Sequence, residues 1–108
     1  MLSDTIIAPA TPPGYGGVSL VRISGPISEE IAKSLAKKTK PFKDRVATLS
    51  SIYNLQDEKI DDAIITYFKT PSSYTGENVI EISCHGNPII VDQIITSVCK
   101  MGARIAEP

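Results

Sequence analysis

Tryptophan is absent, histidine occurs once, and cysteine occurs twice in these 108 residues. Two thiols cannot make a disulfide framework, and reduced cysteines in a cytosolic protein are the simplest account of Cys84 and Cys99. Two cysteines and one histidine also fall short of four metal ligands unless carboxylates or a partner chain complete the set. An excess of one charge is lacking too: 11 Lys and Arg stand against 12 Asp and Glu, a net charge of −1. That balance disfavours a stand-alone nucleic-acid binder working through bulk electrostatics. No apolar run reaches the length of a membrane helix, and the start, MLSDTIIAPATPPG, has neither the basic residues nor the apolar stretch of a signal peptide. A soluble cytoplasmic chain without membrane association is expected. Repeats and low-complexity tracts are absent as well.

With 42% apolar and 21% charged residues, the chain suits one compact domain spanning 1–108. Such a domain buries roughly two-thirds of its unfolded surface, enough for a core without staples. Local basicity gathers at Lys33, Lys37, Lys38, Lys40, Lys43 and Arg45, and reads as a solvated face around a helix end. The last residues, GARIAEP, stop in an alternation that closes nothing, so a fragment of a longer protein is expected.

Periodicity orders the elements. Residues 5–8 read as a short strand, and PATPPGYGG (9–17) as a proline- and glycine-dense loop. VSLVRIS (18–24) is a strand with Val18, Leu20, Arg22 and Ser24 on one face and Ser19, Val21 and Ile23 on the other. After Gly25-Pro26 a helix begins, with Ser28 as its expected N-cap, Glu29 and Glu30 in its first turn, and Pro41 ending it. Strands at 46–55 and 62–69 form a hairpin across the polar turn 56–61, and TPSSYTG (70–76) is a loop. NVIEISCH (78–85) is a further strand. Asn87 is placed to cap a second helix with Pro88 in its first position, running to Lys100 before Gly102. ARIAE (103–107) is a last short strand. The order β-β-α-β-β-β-α-β predicts an α/β (α+β) fold with a mixed sheet of five to six strands and helices on one face.

Three stretches invite chemistry. GYGGVS (14–19) precedes a strand and does not lead from a strand into a helix, so it is neither a dinucleotide fingerprint nor a P-loop. It is either a structural turn or a loop approached closely by a ligand or a second subunit. Cys84 shares a face with Ile80 and Ile82 and reads as a small buried hydrophobe rather than a nucleophile. His85, at the strand end, reads as structural or capping, with acid–base catalysis as the alternative. Val79, Glu81, Ser83 and His85 share the opposite face, as Arg22 does on its own strand. A charge on a partly apolar sheet face needs a partner, so Arg22 and Glu81 meet either each other or a ligand.

The stretches DTIIAPATPPGYGGVSLVRISGP (4–26), PSSYTGENVIEISCHGNP (71–88) and GARIAEP (102–108) resemble the N-terminal domain of the tRNA-modification GTPase family MnmE, also called TrmE. The resemblance runs in order over nearly the whole chain. It implies a fold similar to the tetrahydrofolate-binding domains of one-carbon enzymes, a constitutive homodimer, and binding of 5-formyl- or 5,10-methylene-tetrahydrofolate. It implies folate contacts at Arg22, in VRISG, and at Glu81, the second glutamate of TGExxxE. For the longer parent it implies an FAD-dependent partner, MnmG (GidA). Together the two place an aminomethyl-type group on carbon 5 of the tRNA wobble uridine. GTP, Mg2+ and K+ belong only to the parent's GTPase domain. The P-loop and the folate-contacting lysine that follows this region in the family are not in these residues, and Tyr15 stands where a family member can carry a basic residue. The chain alone is therefore expected only to bind. Two alternatives stand beside that reading. One is a purely structural homodimerisation module with an architectural Arg22–Glu81 pair. The other is an enzyme using Cys84 and His85, which requires a reactive low-pKa thiol.

Overall fold

The computed structural model describes residues 4–70 and 77–107. Its elements follow the expected order: β1 (Ile6–Pro9), β2 (Val18–Ser24), α1 (Ser28–Ala36), β3 (Thr48–Tyr53), β4 (Lys59–Phe68), β5 (Val79–His85), α2 (Pro88–Lys100) and β6 (Arg104–Ile105). The strands form one six-stranded sheet in the order β3-β4-β5-β2-β1-β6. Neighbours are antiparallel except β1 and β6, which pair in parallel. The sheet is therefore mixed, as expected, and a fold of the α/β class results.

Both helices cover one face. Val21, Ile23, Ile65, Ile80 and Ile82, all fully buried, alternate along the three central strands and pack in one cluster with Leu35 of α1 and Ile94 and Val98 of α2. Each such side chain stabilises the fold by roughly 1.5–3 kcal/mol relative to exposure. No described helix is long and apolar enough to cross a membrane.

The helix ends match expectation at α2 and differ at both ends of α1. Asn87 caps α2 as predicted, its Oδ1 accepting the Ile89 N–H at 2.9 Å, with Pro88 in the first turn. Ser28 does not cap α1. Its hydroxyl is turned inward and donates to the Asn78 carbonyl at 3.2 Å, while the N-cap is Ile27. The Ile27 N–H donates to Thr5 Oγ1 at 3.1 Å, which ties the start of α1 to the beginning of the chain, and no described side chain caps the helix. Nor is Pro41 needed to end this helix. Lys37 takes a left-handed conformation (φ 52°), and the Lys38 N–H closes onto the Lys33 carbonyl at 2.9 Å.

The hairpin turn is tighter than expected. Asn54 Oδ1 accepts the N–H groups of Gln56 and Glu58, both at 2.9 Å, which pulls Lys59, Ile60 and Asp61 into β4. The last strand is shorter than 103–107, pairing only at Arg104–Ile105. The loop expected at 70–76 lies outside the described residues except for Thr70.

The glycine-rich loop is held by its own chain. The Gly16 N–H donates to the Gly86 carbonyl at 2.9 Å, and the Gly86 N–H returns to Gly17 at 3.3 Å. A Cβ on Gly86 would run into the Gly16 backbone, so that position needs glycine. The loop is thus fastened across the end of β5.

Candidate functional site on the open sheet face

Alternation sends the other half of each strand to a face that no described helix covers. Arg22 on β2 and Glu81 on β5 are direct cross-strand partners there, and Arg22 Nε donates to Glu81 Oε2 at 2.9 Å. The Glu81 side chain is 16% exposed and that of Arg22 42%. The carboxylate is therefore the more enclosed member, and the guanidinium bridges it to solvent. Thr66 on β4 flanks Glu81, and Ala8 on β1 flanks Arg22. The register brings the two predicted site residues together. An ion pair this accessible contributes only about 0–1 kcal/mol to folding. Its chemical consequence is positional: one donor fixes the plane of a carboxylate that faces outward from the sheet.

Rows on either side differ in character. Toward β1's start, Val79 is buried beside Phe68 and Ser24, and Ser24 Oγ donates to Glu77 Oε2 at 3.0 Å. In the other direction Leu49, Ile64, Ser83 and Leu20 line up across β3, β4, β5 and β2. Leu49 is 74% exposed and Ile64 43%, an apolar strip facing outward.

Beyond that strip is His85. Its Nδ1 lies 2.7 Å from Asp61 Oδ1, and its backbone N–H donates to Asp61 Oδ2 at 2.9 Å. The Asp61 side chain is only 9% exposed while the imidazole is 71% exposed. Sequence reasoning missed Asp61. It is 24 residues from His85 and falls at the edge of what reads as a turn, so only the strand register reveals it.

Cys84 points into the core and is 4% exposed. Burial, aided by the Asp61 carboxylate, pushes its thiol up to about 11. The Sγ contacts the Ser19 carbonyl at 3.5 Å, and the His85 ring is turned to Asp61. These two residues do not form a nucleophile–base pair, and Cys84 behaves as the small buried hydrophobe that alternation indicates. The basic cluster is solvated, with Lys37 paired to Asp57 at 3.1 Å and Arg45 to Asp44 at 3.1 Å.

Comparison with known proteins places this geometry in context. The family model described as GTP-binding protein TrmE N-terminus matches residues 5–108. A tRNA modification GTPase MnmE of Aliarcobacter butzleri is 49% identical over 106 residues, 98% of this chain and 24% of that protein. One from Legionella pneumophila strain Corby is 48% identical over 108 residues, 100% of this chain and 24% of that protein. One from Francisella tularensis subsp. holarctica is 51% identical over 104 residues, 96% and 22% of the two chains. The chain thus spans about a quarter of the length of these relatives.

Proposed function

The chain belongs to the family of GTP-binding protein TrmE N-termini, and from that premise we propose that it is the folate-binding and dimerising part of a tRNA-modification GTPase. One observation carries the reading: a largely enclosed carboxylate, Glu81, is oriented by Arg22 at 2.9 Å on a sheet face without helical cover. The donor and acceptor chemistry fits tetrahydrofolate. A pterin edge presents adjacent N–H and NH2 donors, and a carboxylate held in one plane accepts both. Leu20 and Val79 flank the pair and limit competing water.

The chain's own residues bind and orient. Glu81 accepts the pterin donors, and Arg22 orients the carboxylate. The folate, when bound, supplies the one-carbon unit. In the longer parent, working with the FAD-dependent partner MnmG (GidA), that unit becomes part of the aminomethyl-type group on carbon 5 of the tRNA wobble uridine. GTP hydrolysis, with Mg2+ and K+, belongs to the parent's GTPase domain. The setting is the cytoplasm.

Calorimetric titration with 5-formyltetrahydrofolate tests the assignment. Native chain gives saturable heat, and Glu81→Gln weakens binding about tenfold to a hundredfold, because a charged acceptor is lost at a site with two donors. Equal affinity of the two proteins would remove Glu81 from the role. A second reading draws on the exposed Val18 (61%), Leu49 and Ile64 of the same face: a structural homodimerisation module without ligand binding. It predicts self-association in sedimentation together with no folate heat.

A further inference from the structure

The open face alternates in polarity along its strands. The Arg22–Glu81 row is ionic, the Leu49–Ile64–Ser83–Leu20 row is mainly apolar, and the next position on β5 is His85, paired with Val18 on β2. Val18, Leu49, Ile64, Ser83, Asp62 and His85 line a concavity of about 200 Å³. It begins one row from Glu81, and the His85 backbone lies about 13 Å from that of Glu81 along the strand, at roughly 3.3 Å per residue.

The imidazole is built for a contact. A well-exposed histidine has little reason to be held in one orientation, yet this one is fixed twice by one nearly buried carboxylate, through Nδ1 at 2.7 Å and the backbone N–H at 2.9 Å. A carboxylate accepts, so the neutral ring carries its proton on Nδ1 and presents Nε2 as an acceptor. The neighbouring Asp62 is already engaged by Ser51 Oγ at 2.7 Å and by Lys59 Nζ at 3.0 Å, which leaves the ring as the adaptable polar group at this end.

We propose that this concavity is a second subsite for the ligand held at Glu81, with His85, oriented by Asp61, as the distal hydrogen-bond anchor. The inference rests on the folate-binding reading above and extends it. The ligand class is an elongated molecule with adjacent N–H donors at one end, an apolar or aromatic middle lying over Leu20 and Ile64, and a further polar group near His85 Nε2. Asp61 is a positioning residue that acts through the ring.

Because His85 is the sole histidine, its ring signals in a 15N-edited NMR spectrum are unambiguous. Titrating the native chain with 5-formyltetrahydrofolate moves them saturably, in step with the calorimetric isotherm. His85→Asn keeps a side-chain donor for Asp61 but lacks the Nε2 atom, and it weakens binding about fivefold, the worth of one hydrogen bond. His85→Gln, whose amide oxygen reaches the Nε2 position and accepts there, restores most of that affinity. A purely structural histidine predicts the opposite ranking, with Asn preserved and Gln impaired. Ring signals that stay fixed at calorimetric saturation, or His85→Asn binding as tightly as native chain, overturn the subsite while leaving Glu81 in place. Absence of saturable binding by the native chain overturns both.

Discussion

The two faces of this sheet are made from alternate residues of the same strands, and they are organised by different forces. On the helix side β5 contributes Ile80, Ile82 and Cys84, each at most 4% exposed. On the other it contributes Glu81, Ser83 and His85, whose carboxylate and imidazole are held by partners from β2 and β4. Packing holds the first face and tolerates no polar group without a partner. The second face gains little stability from its ion pairs. It keeps charged and ring atoms oriented next to apolar surface, which is what recognition of a small molecule requires. Stability and the proposed binding role are thus divided within single strands, one residue apart.

The sharpest test of that division is a truncation on each side. Ile82→Ala, at a fully buried position, costs about 2–5 kcal/mol in urea unfolding. Ile64→Ala, on the neighbouring strand but 43% exposed, costs less than about 1 kcal/mol. Equal losses would mean that the open face is packed against something as firmly as the core.

Cys84 tests the same boundary by chemistry. With its thiol pushed to about 11 from an ordinary value of 9.0, the thiolate population at pH 8 is about a hundredfold lower than for a free cysteine. Alkylation of the native chain therefore proceeds first at the half-buried Cys99. The sign of the linkage follows. Below about pH 9 the thiol is protonated in both folded and unfolded chains, and stability is intact. Between about 9 and 11 the unfolded thiol ionises while the folded one does not, so stability declines. Fast alkylation of Cys84 at pH 8 would contradict its burial.

Gly86 marks where the two faces meet at the end of β5. Gly86→Ala places a Cβ against the Gly16 backbone and costs about 1–3 kcal/mol in thermal unfolding. Gly16→Ala meets nothing within 4 Å and costs much less. The reverse ranking would show that the proline-glycine loop is not fastened to the strand end.

How much of this was legible in the sequence depends on how local each cause is. Period-two patterning placed Cys84 with the isoleucines and Glu81 opposite, because alternation is a property of the strand itself. The Asn87-Pro88 helix start was legible for the same reason, since the cap and the amide it satisfies are neighbours. Ser28 misled because its hydroxyl is claimed by the Asn78 carbonyl, 50 residues away. Asp61 escaped because a turn of polar residues looks alike whether its last member joins a strand or not. Only the pairing of β4 with β5 decides that Asp61 meets His85. Arg22 and Glu81 could be assigned to one kind of face, but the register that makes them partners is a tertiary fact.

The smallest expected effect on folding is the one that discriminates best between the readings of the site. Glu81→Gln is nearly isosteric and keeps an oxygen to accept from Arg22 Nε, so urea unfolding shifts by less than about 1 kcal/mol. If the pair were only architectural, a change at the more enclosed partner would appear in stability, and a loss of about 3 kcal/mol would identify a buried structural ion pair. If the carboxylate is kept for a ligand, stability barely moves while affinity for 5-formyltetrahydrofolate falls at least tenfold. Measuring both quantities on the same variant separates the two. A large loss of stability with unchanged binding would reassign Arg22 and Glu81 to the scaffold, and the open face would then serve self-association through Val18, Leu49 and Ile64. Unchanged stability with lost binding would show that this face, unlike the one beneath it, is held in place for something the chain does not itself contain.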